Sequence, residues 1–413
     1  MILSGPPIRG AMCGGHAVCI PPTLMNYQNL LMQRHIALHF IDSRGLGIDG
    51  FASEEGTRNF AANAVKQGVL SEHFRSYNEL TLSSLGMGTY LGETDRETDI
   101  LVSQAVEESV RSGAINVIDT AINYRFQKAE RSVGNALRKI VEENSVKRSE
   151  IFLATKNGYL TPDGDLKMDF WKYVHENLVK TNIIKPNEIS SGMHCMSVNY
   201  LKDQLQRSLR NLGVECVDLM YLHNAAEAQL SDISREEFFE KLRSVFTFYE
   251  DMRKEGKIRY YGLATWSCFR LPADDPGYLS LSEVVSVAKE VDDDHGFKFI
   301  QLPFNLGMKE AFMLKNQNVD GEMLSTLEAA KKLGLGVFTS VPLLQGKLLN
   351  PRALPNIEGI DKPALKCLQI ARSAPIICPL VGQKDSSHVK ENVQIAKLPF
   401  IEYERLASLI SSF

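Results

Sequence analysis

The stretch LKDQLQRSLRNLGVECVDLMYLH, residues 201–223, decides the fold. Leu201, Leu205, Leu209 and Leu212 recur at helical spacing. Gly213 follows where a left-handed cap is required, and an apolar run of strand length covers residues 216–222. The run ends on a polar side chain, His223.

The same succession repeats outward in both directions. Strand-like runs fall at residues 85–89, 115–119, 151–155, 216–222, 258–263, 299–301, 337–340 and 376–380. Amphipathic helical stretches separate them, among them TDILVSQAVEESVRSG, AERSVGNALRKIVEEN, EEFFEKLRSVFTFYEDMRKEG, LSEVVSVAKEV and GEMLSTLEAAKKLG. Gly113, Gly213, Gly256 and Gly334 stand at helix ends, before the chain turns into the next strand. Parallel strands need crossover helices, and eight such units close most naturally into a (β/α)8 barrel of the α/β class, over about residues 80–400. Two long βα loops interrupt it: residues 157–197 after the third strand, with Phe170, Trp171 and Tyr173, and WSCFRLPADDPGYLS after the fifth. Both lie at strand C-terminal ends, so they are expected to wall the substrate pocket.

With 413 residues and 44% hydrophobic content, the chain can bury a large core. A net charge of -4 leaves no basic excess for nucleic acid or a membrane surface, so a small-molecule partner is expected. Seven scattered cysteines without a CxxC pair argue against a disulfide framework and a metal site, and point to a reducing compartment such as the cytoplasm. No apolar run reaches the roughly 20 residues that cross a bilayer. The first 41 residues hold no Asp or Glu, and residues 1–52 are read as an N-terminal extension, disordered or a mitochondrial or plastid transit segment. From Ser53, SEEGTRNFAANAVKQG reads as a capped helix.

Four polar residues mark consecutive strand ends: Asp119, Tyr124 just beyond it, Lys156 and His223. Each alone has an ordinary structural explanation; together they make a proton-transfer cluster. A phenol's pKa is about 10, and a neighbouring ammonium is expected to lower it by stabilising the phenolate. Asp119 would keep Lys156 charged, His223 would hold a substrate oxygen, and Tyr124 would act as general acid in a carbonyl reduction.

The ordered motifs LGMGTYLG, DTAINY, ATK, SLRNLGVECVDLMYLH, GKIRYYGLAT, QLPFNL, VPLLQGKL and LVGQKDSSHVKEN resemble the aldo-keto reductase superfamily over most of the chain. The resemblance implies a monomeric NADPH-dependent barrel enzyme acting on a small carbonyl substrate, with Asp119, Tyr124, Lys156 and His223 as catalytic tetrad. It implies nicotinamide contacts from Gly88, Thr89, Tyr90, Thr265, Gln301 and Ser340. The remainder of the nucleotide would meet Leu343, Gln345, Lys347, Gly382, Lys384, His388, Glu391 and Asn392, with Lys384 facing a ribose 2'-phosphate. GMGTYLG is not a GxGxxG fingerprint, so a Rossmann site is not expected. The chain departs from the family pattern at Ala264-Thr265, where Ser-Asn is common, and at Ser340, where an aromatic often stacks. These departures motivate an alternative reading, a non-catalytic NADP(H)-binding regulatory subunit.

Overall fold

The computed structural model describes residues 47–413. Eight parallel strands form a closed barrel: β3 (Gly86–Gly88), β4 (Val117–Asp119), β5 (Phe152–Asn157), β6 (Val217–His223), β7 (Ile258–Ala264), β8 (Phe297–Pro303), β11 (Gly336–Ser340) and β12 (Cys378–Gly382). β12 pairs with β3 and closes the ring. The expected (β/α)8 architecture is therefore the observed one. All four helix-end glycines singled out above have positive φ, between 65° and 74°.

The register brings the polar strand ends to one rim. Gly88 pairs with Asp119, Lys156 with Tyr221, His223 with Ala264, and Ala264 with Gln301. The lumen below is filled by Val117, Phe152, Leu219, Tyr221, Phe299 and Phe338, so the barrel has a packed centre. Gly262 is required where β7 and β8 shift register, since a Cβ there would sit 2.0 Å from the Phe299 carbonyl oxygen.

Two hairpins lie outside the expected pattern. β1 (Phe74–Tyr77) and β2 (Leu80–Ser83) pair antiparallel, and Leu80 and Leu82 join the lumen cluster. β9 (Lys315–Val319) pairs with β10 (Glu322–Ser325). The helix expected across GEMLSTLEAAKKLG therefore begins only at Thr326, capped by Ser325. Asp320 and Gly321, both at positive φ, form the tight turn that twisted two-residue hairpins need.

The helix expected after Ser53 runs Glu54–Lys66, with the Gly56 N–H donating to Ser53 Oγ. Residues 47–52, expected to go with the extension, contact the barrel: Ile48 bridges Val214, and the Ala52 N–H donates to Asp218 Oδ1. Residues 1–46, with the acid-free stretch and its transit-segment expectation, lie outside the described residues. The 157–197 loop builds a small core from Leu160, Tyr173, Val174, Leu178 and Ile184, packed with Tyr200 of the helix that follows. No helix among the described residues is long and apolar enough to cross a membrane.

Candidate active site

Asp119 ends β4, Lys156 lies near the end of β5, and His223 ends β6, so three neighbouring strands deliver three of the four polar residues. Tyr124 follows on the loop after β4. Lys156, fully buried, donates to Asp119 Oδ1 at 2.5 Å and to the Thr120 carbonyl at 2.8 Å. Gln301 Nε2 donates to the other carboxylate oxygen at 2.8 Å. The Lys156 ammonium lies 4.7 Å from the Tyr124 ring centroid. The same ring meets the His223 imidazole edge to face at 5.9 Å, and Tyr90 from the solvent side at 5.0 Å. The four residues thus form one cluster.

Burial sets the electrostatics. It penalises the Lys156 ammonium, yet the Asp119 carboxylate beside it raises the Lys156 pKa overall. Asp119 is itself raised, chiefly by burial, against the pull of Lys156 and Gln301. His223 is held well below the usual histidine range by burial and then by Lys156, so its imidazole is neutral at physiological pH. Its buried Nδ1 has no hydrogen-bond partner among the described residues. For Tyr124 the expected direction is reversed. Lys156 does pull the phenol down, but burial outweighs it and the net displacement is upward.

The cluster floors a cleft of about 490 Å³ that opens at the barrel's C-terminal rim. Of the residues expected to bind a nucleotide, Gly88, Thr89, Tyr90, Thr265, Gln301, Ser340, Leu343, Gln345 and Gly382 line it. Lys347, Lys384, His388, Glu391 and Asn392 do not. Lys347 and His388 are exposed, and Lys384 is half-buried. Glu391 pairs with Lys362 at 2.6 Å, and the Asn392 amide donates to Gln383 Oε1 at 2.8 Å. Gln301 and Thr265 are also engaged within the barrel, the first with Asp119 and the second through its N–H to the Gln301 carbonyl at 2.8 Å.

Three polar lining residues escaped the sequence reading. Asn123 precedes Tyr124, Tyr159 lies three residues past Lys156, and Asn224 follows His223. Their adjacency to the four polar residues was the available signal. Trp266, from the loop after the fifth strand that was expected to wall the pocket, does line the cleft, whereas Phe170, Trp171 and Tyr173 of the longer loop do not. It is positioned by Glu227, whose Oε1 accepts the N–H groups of Trp266, Ser267 and Cys268 at 2.8, 2.6 and 3.0 Å.

Residues 84–409 match the model of the Aldo/keto reductase family. An NADH-specific methylglyoxal reductase of Escherichia coli K12 is 26% identical over 194 residues, which are 45% of this chain and about half, 49%, of that enzyme. An uncharacterized oxidoreductase of Bacillus subtilis is 25% identical over 348 residues, 81% of this chain and 94% of the relative. Among solved structures, an aldo/keto reductase from Klebsiella pneumoniae in complex with NADP and acetate superposes with a TM-score of 0.53 at 17% identity, covering 81% of this chain and 93% of that one. At that identity the likeness carries the fold.

Proposed function

This chain belongs to the aldo/keto reductase family, and from that premise we propose that it is an NADPH-dependent reductase of aldehyde or ketone carbonyls, acting as a monomer through a barrel domain over residues 80–400 that an N-terminal extension precedes in the chain. The observation that carries this reading is the half-buried Tyr124 ring on the cleft floor, close to both the Lys156 ammonium and the His223 imidazole.

When bound, NADPH supplies a hydride to the carbonyl carbon. The residues fit such a group, because the cleft passes the backbone of Gly88, Gly346 and Gly382, and half-buried Lys384 follows two residues beyond Gly382. Gly88, Thr89, Tyr90, Thr265, Gln301 and Ser340 would hold the nicotinamide end. Leu343, Gln345 and Gly382 would line the middle, with Lys347, Lys384, His388, Glu391 and Asn392 beyond them. A cationic Lys384 favours a 2'-phosphate, hence NADPH over NADH.

Tyr124 donates its hydroxyl proton to the carbonyl oxygen, which becomes the alcohol of the product. The raised phenol pKa keeps that proton in place at neutral pH. As the proton leaves, the developing phenolate is stabilised by the Lys156 charge, which Asp119 in turn holds. His223, neutral, orients the substrate oxygen by a hydrogen bond.

In a panel of aldehydes with NADPH, Tyr124→Phe is expected to lower turnover about 10²–10⁴-fold while NADPH binding persists. Unchanged turnover rejects the assignment. Gln301 and Thr265 are already bonded within the barrel, which favours a second reading as a non-catalytic nucleotide-binding subunit. NADPH binding without turnover on any aldehyde would establish that reading instead.

A further inference from the structure

The long loop after β5 carries a buried imidazole that the proposed reaction does not use. His194 is fully buried, and its backbone bridges Tyr159. On either side of that bridge the Cys195 N–H donates to the Gly158 carbonyl at 2.9 Å and the Leu160 N–H to the Met193 carbonyl at 2.8 Å. The loop is thereby returned to the end of β5, two residues past Lys156.

The ring itself reaches toward β6. Gln229 Nε2, on the short helix Ala225–Gln229 that follows His223, lies 3.1 Å from His194 Nδ1 and 3.4 Å from the His194 carbonyl oxygen. An amide nitrogen offers hydrogens and no lone pair, so Nδ1 accepts and the ring proton sits on Nε2. Nε2 is set against the chain at Gly158: a Cβ there would stand 2.2 Å from it, and Gly158 holds φ at 120°, where an L side chain is strained. Nε2 has no hydrogen bond of its own among the described residues, and the backbone group that acts on the ring is the His223 carbonyl. Tyr159 closes the arrangement, its ring edge to face with His194 at 5.4 Å and with His223 at 5.1 Å. One imidazole thus fills the space between the strand end that carries Lys156 and the strand end that carries His223.

We propose that His194 is a positioning residue for the proton-transfer cluster, a wedge supplied by the 157–197 loop that fixes the ends of β5 and β6 and so the spacing of Lys156 and His223. The inference rests on the reductase reading for its effect on turnover, and on the packing alone for the wedge. His194 does not line the cleft, so its loss leaves the nucleotide's contacts in place. The loss falls instead on the reacting geometry, where a displacement of about 1 Å costs up to about 10²-fold.

The test uses the full chain with NADPH and a panel of aldehydes, together with hydrogen exchange of the ligand-free protein read by mass spectrometry. His194→Ala should lower kcat about tenfold or more while KM for NADPH stays within about twofold. His194→Gln, whose amide reaches the place of Nε2 and keeps an N–H there, should recover most of that loss. In the ligand-free alanine variant, amides of residues 157–160 and 223–226 should exchange about tenfold faster, and those of β8 and β11 at the wild-type rate. A kcat per folded molecule equal to wild type, a glutamine variant no better than alanine, or faster exchange spread evenly over the barrel overturns the proposal. Where His194→Ala does not fold, Gln229→Leu takes its place, removing the amide that orients the ring, with the same expectations for kcat and exchange. If the wild type turns over no aldehyde, the reductase reading fails by itself. Faster exchange confined to the two strand ends then upholds the wedge, and unchanged or uniform exchange overturns it.

Discussion

The Tyr124 phenol is subject to two opposed influences. The ammonium of Lys156 stabilises the phenolate, while burial destabilises it more strongly, so the group is raised above its ordinary value. The sequence places a cation and a phenol at adjacent strand ends, from which only the first influence can be read; the depth of the floor is a property of the closed barrel. In an ultraviolet titration of the ligand-free protein, corrected with Tyr124→Phe, the phenolate of Tyr124 is therefore expected only above a pH of about 10. A Tyr124 phenolate growing in at around pH 8 would show that Lys156 dominates after all. The four polar residues were legible because strand ends in a parallel barrel share one rim. Tyr159 was not, because its place in the cleft depends on the Gln204, Tyr200 and His194 contacts that order its loop.

The loop that carries Tyr124 continues through Arg125, Phe126 and Gln127, all left-handed at φ 48°, 53° and 74°. Each such residue costs about 1–2 kcal/mol for an L-amino acid, so tertiary contacts must hold the turn. Arg125 donates to Asp99 at 2.8 Å and to Ser132 at 2.7 Å, and Gln127 Nε2 donates to the Pro162 carbonyl at 3.2 Å. The Gly164 N–H donates to the Phe126 carbonyl at 2.9 Å, and Arg131 clasps Asp163 at 2.7 and 2.8 Å. The long loop after β5 thus buttresses the turn after β4. Phe126 is substantially exposed and anchors little. Phe126→Val, β-branched in a left-handed turn, is expected to lose about 1–2 kcal/mol in urea unfolding and to lower kcat, whereas Phe126→Gly should match or exceed the wild type. A valine variant as stable as wild type would mean that the turn carries no strain. Helix–strand alternation was legible at this scale because every repeat buries an apolar stripe. The β9–β10 hairpin was hidden by the helix-like run of Glu322–Ser325 into Thr326–Lys332, although Asp320-Gly321 is itself a hairpin signal. The β1–β2 turn, Asn78-Glu79, carries a weaker one, since Glu rarely takes the left-handed conformation found there.

Among the described residues several histidines are kept neutral by burial, and this makes the stability of the whole molecule depend on pH. His73, in the short turn before β1, is fully buried, its Nε2 meeting the Ala114 carbonyl at 2.7 Å and its Nδ1 the Ser84 hydroxyl at 2.9 Å. Those partners suit a neutral ring, and burial, followed by the charge of Arg372, lowers its pKa from 6.5 to about 3. Burial lowers His194 to about 4, with Gln229 Nε2 at 3.1 Å from its Nδ1. Once unfolded, both rings protonate near 6.5, so below that pH the unfolded chain binds more protons than the native one. Their contribution is complete above pH 6.5 and is lost as pH falls toward about 4 and about 3. Each histidine then contributes a slope of about 1.4 kcal/mol per pH unit inside that window. Asp119 and Glu130, raised chiefly by burial, act in the opposite sense, holding protons more readily when folded and partly offsetting the loss at the acid end. Comparing wild type with His73→Gln isolates one histidine from these opposing groups. Urea unfolding followed between pH of about 7.5 and 4.5 should show wild type losing stability more steeply than the variant, by about 1.4 kcal/mol per unit below 6.5. Parallel curves for the two proteins would mean that His73 takes up its proton in the native state, and that the hydrogen bonds at Ala114 and Ser84 do not require a neutral ring.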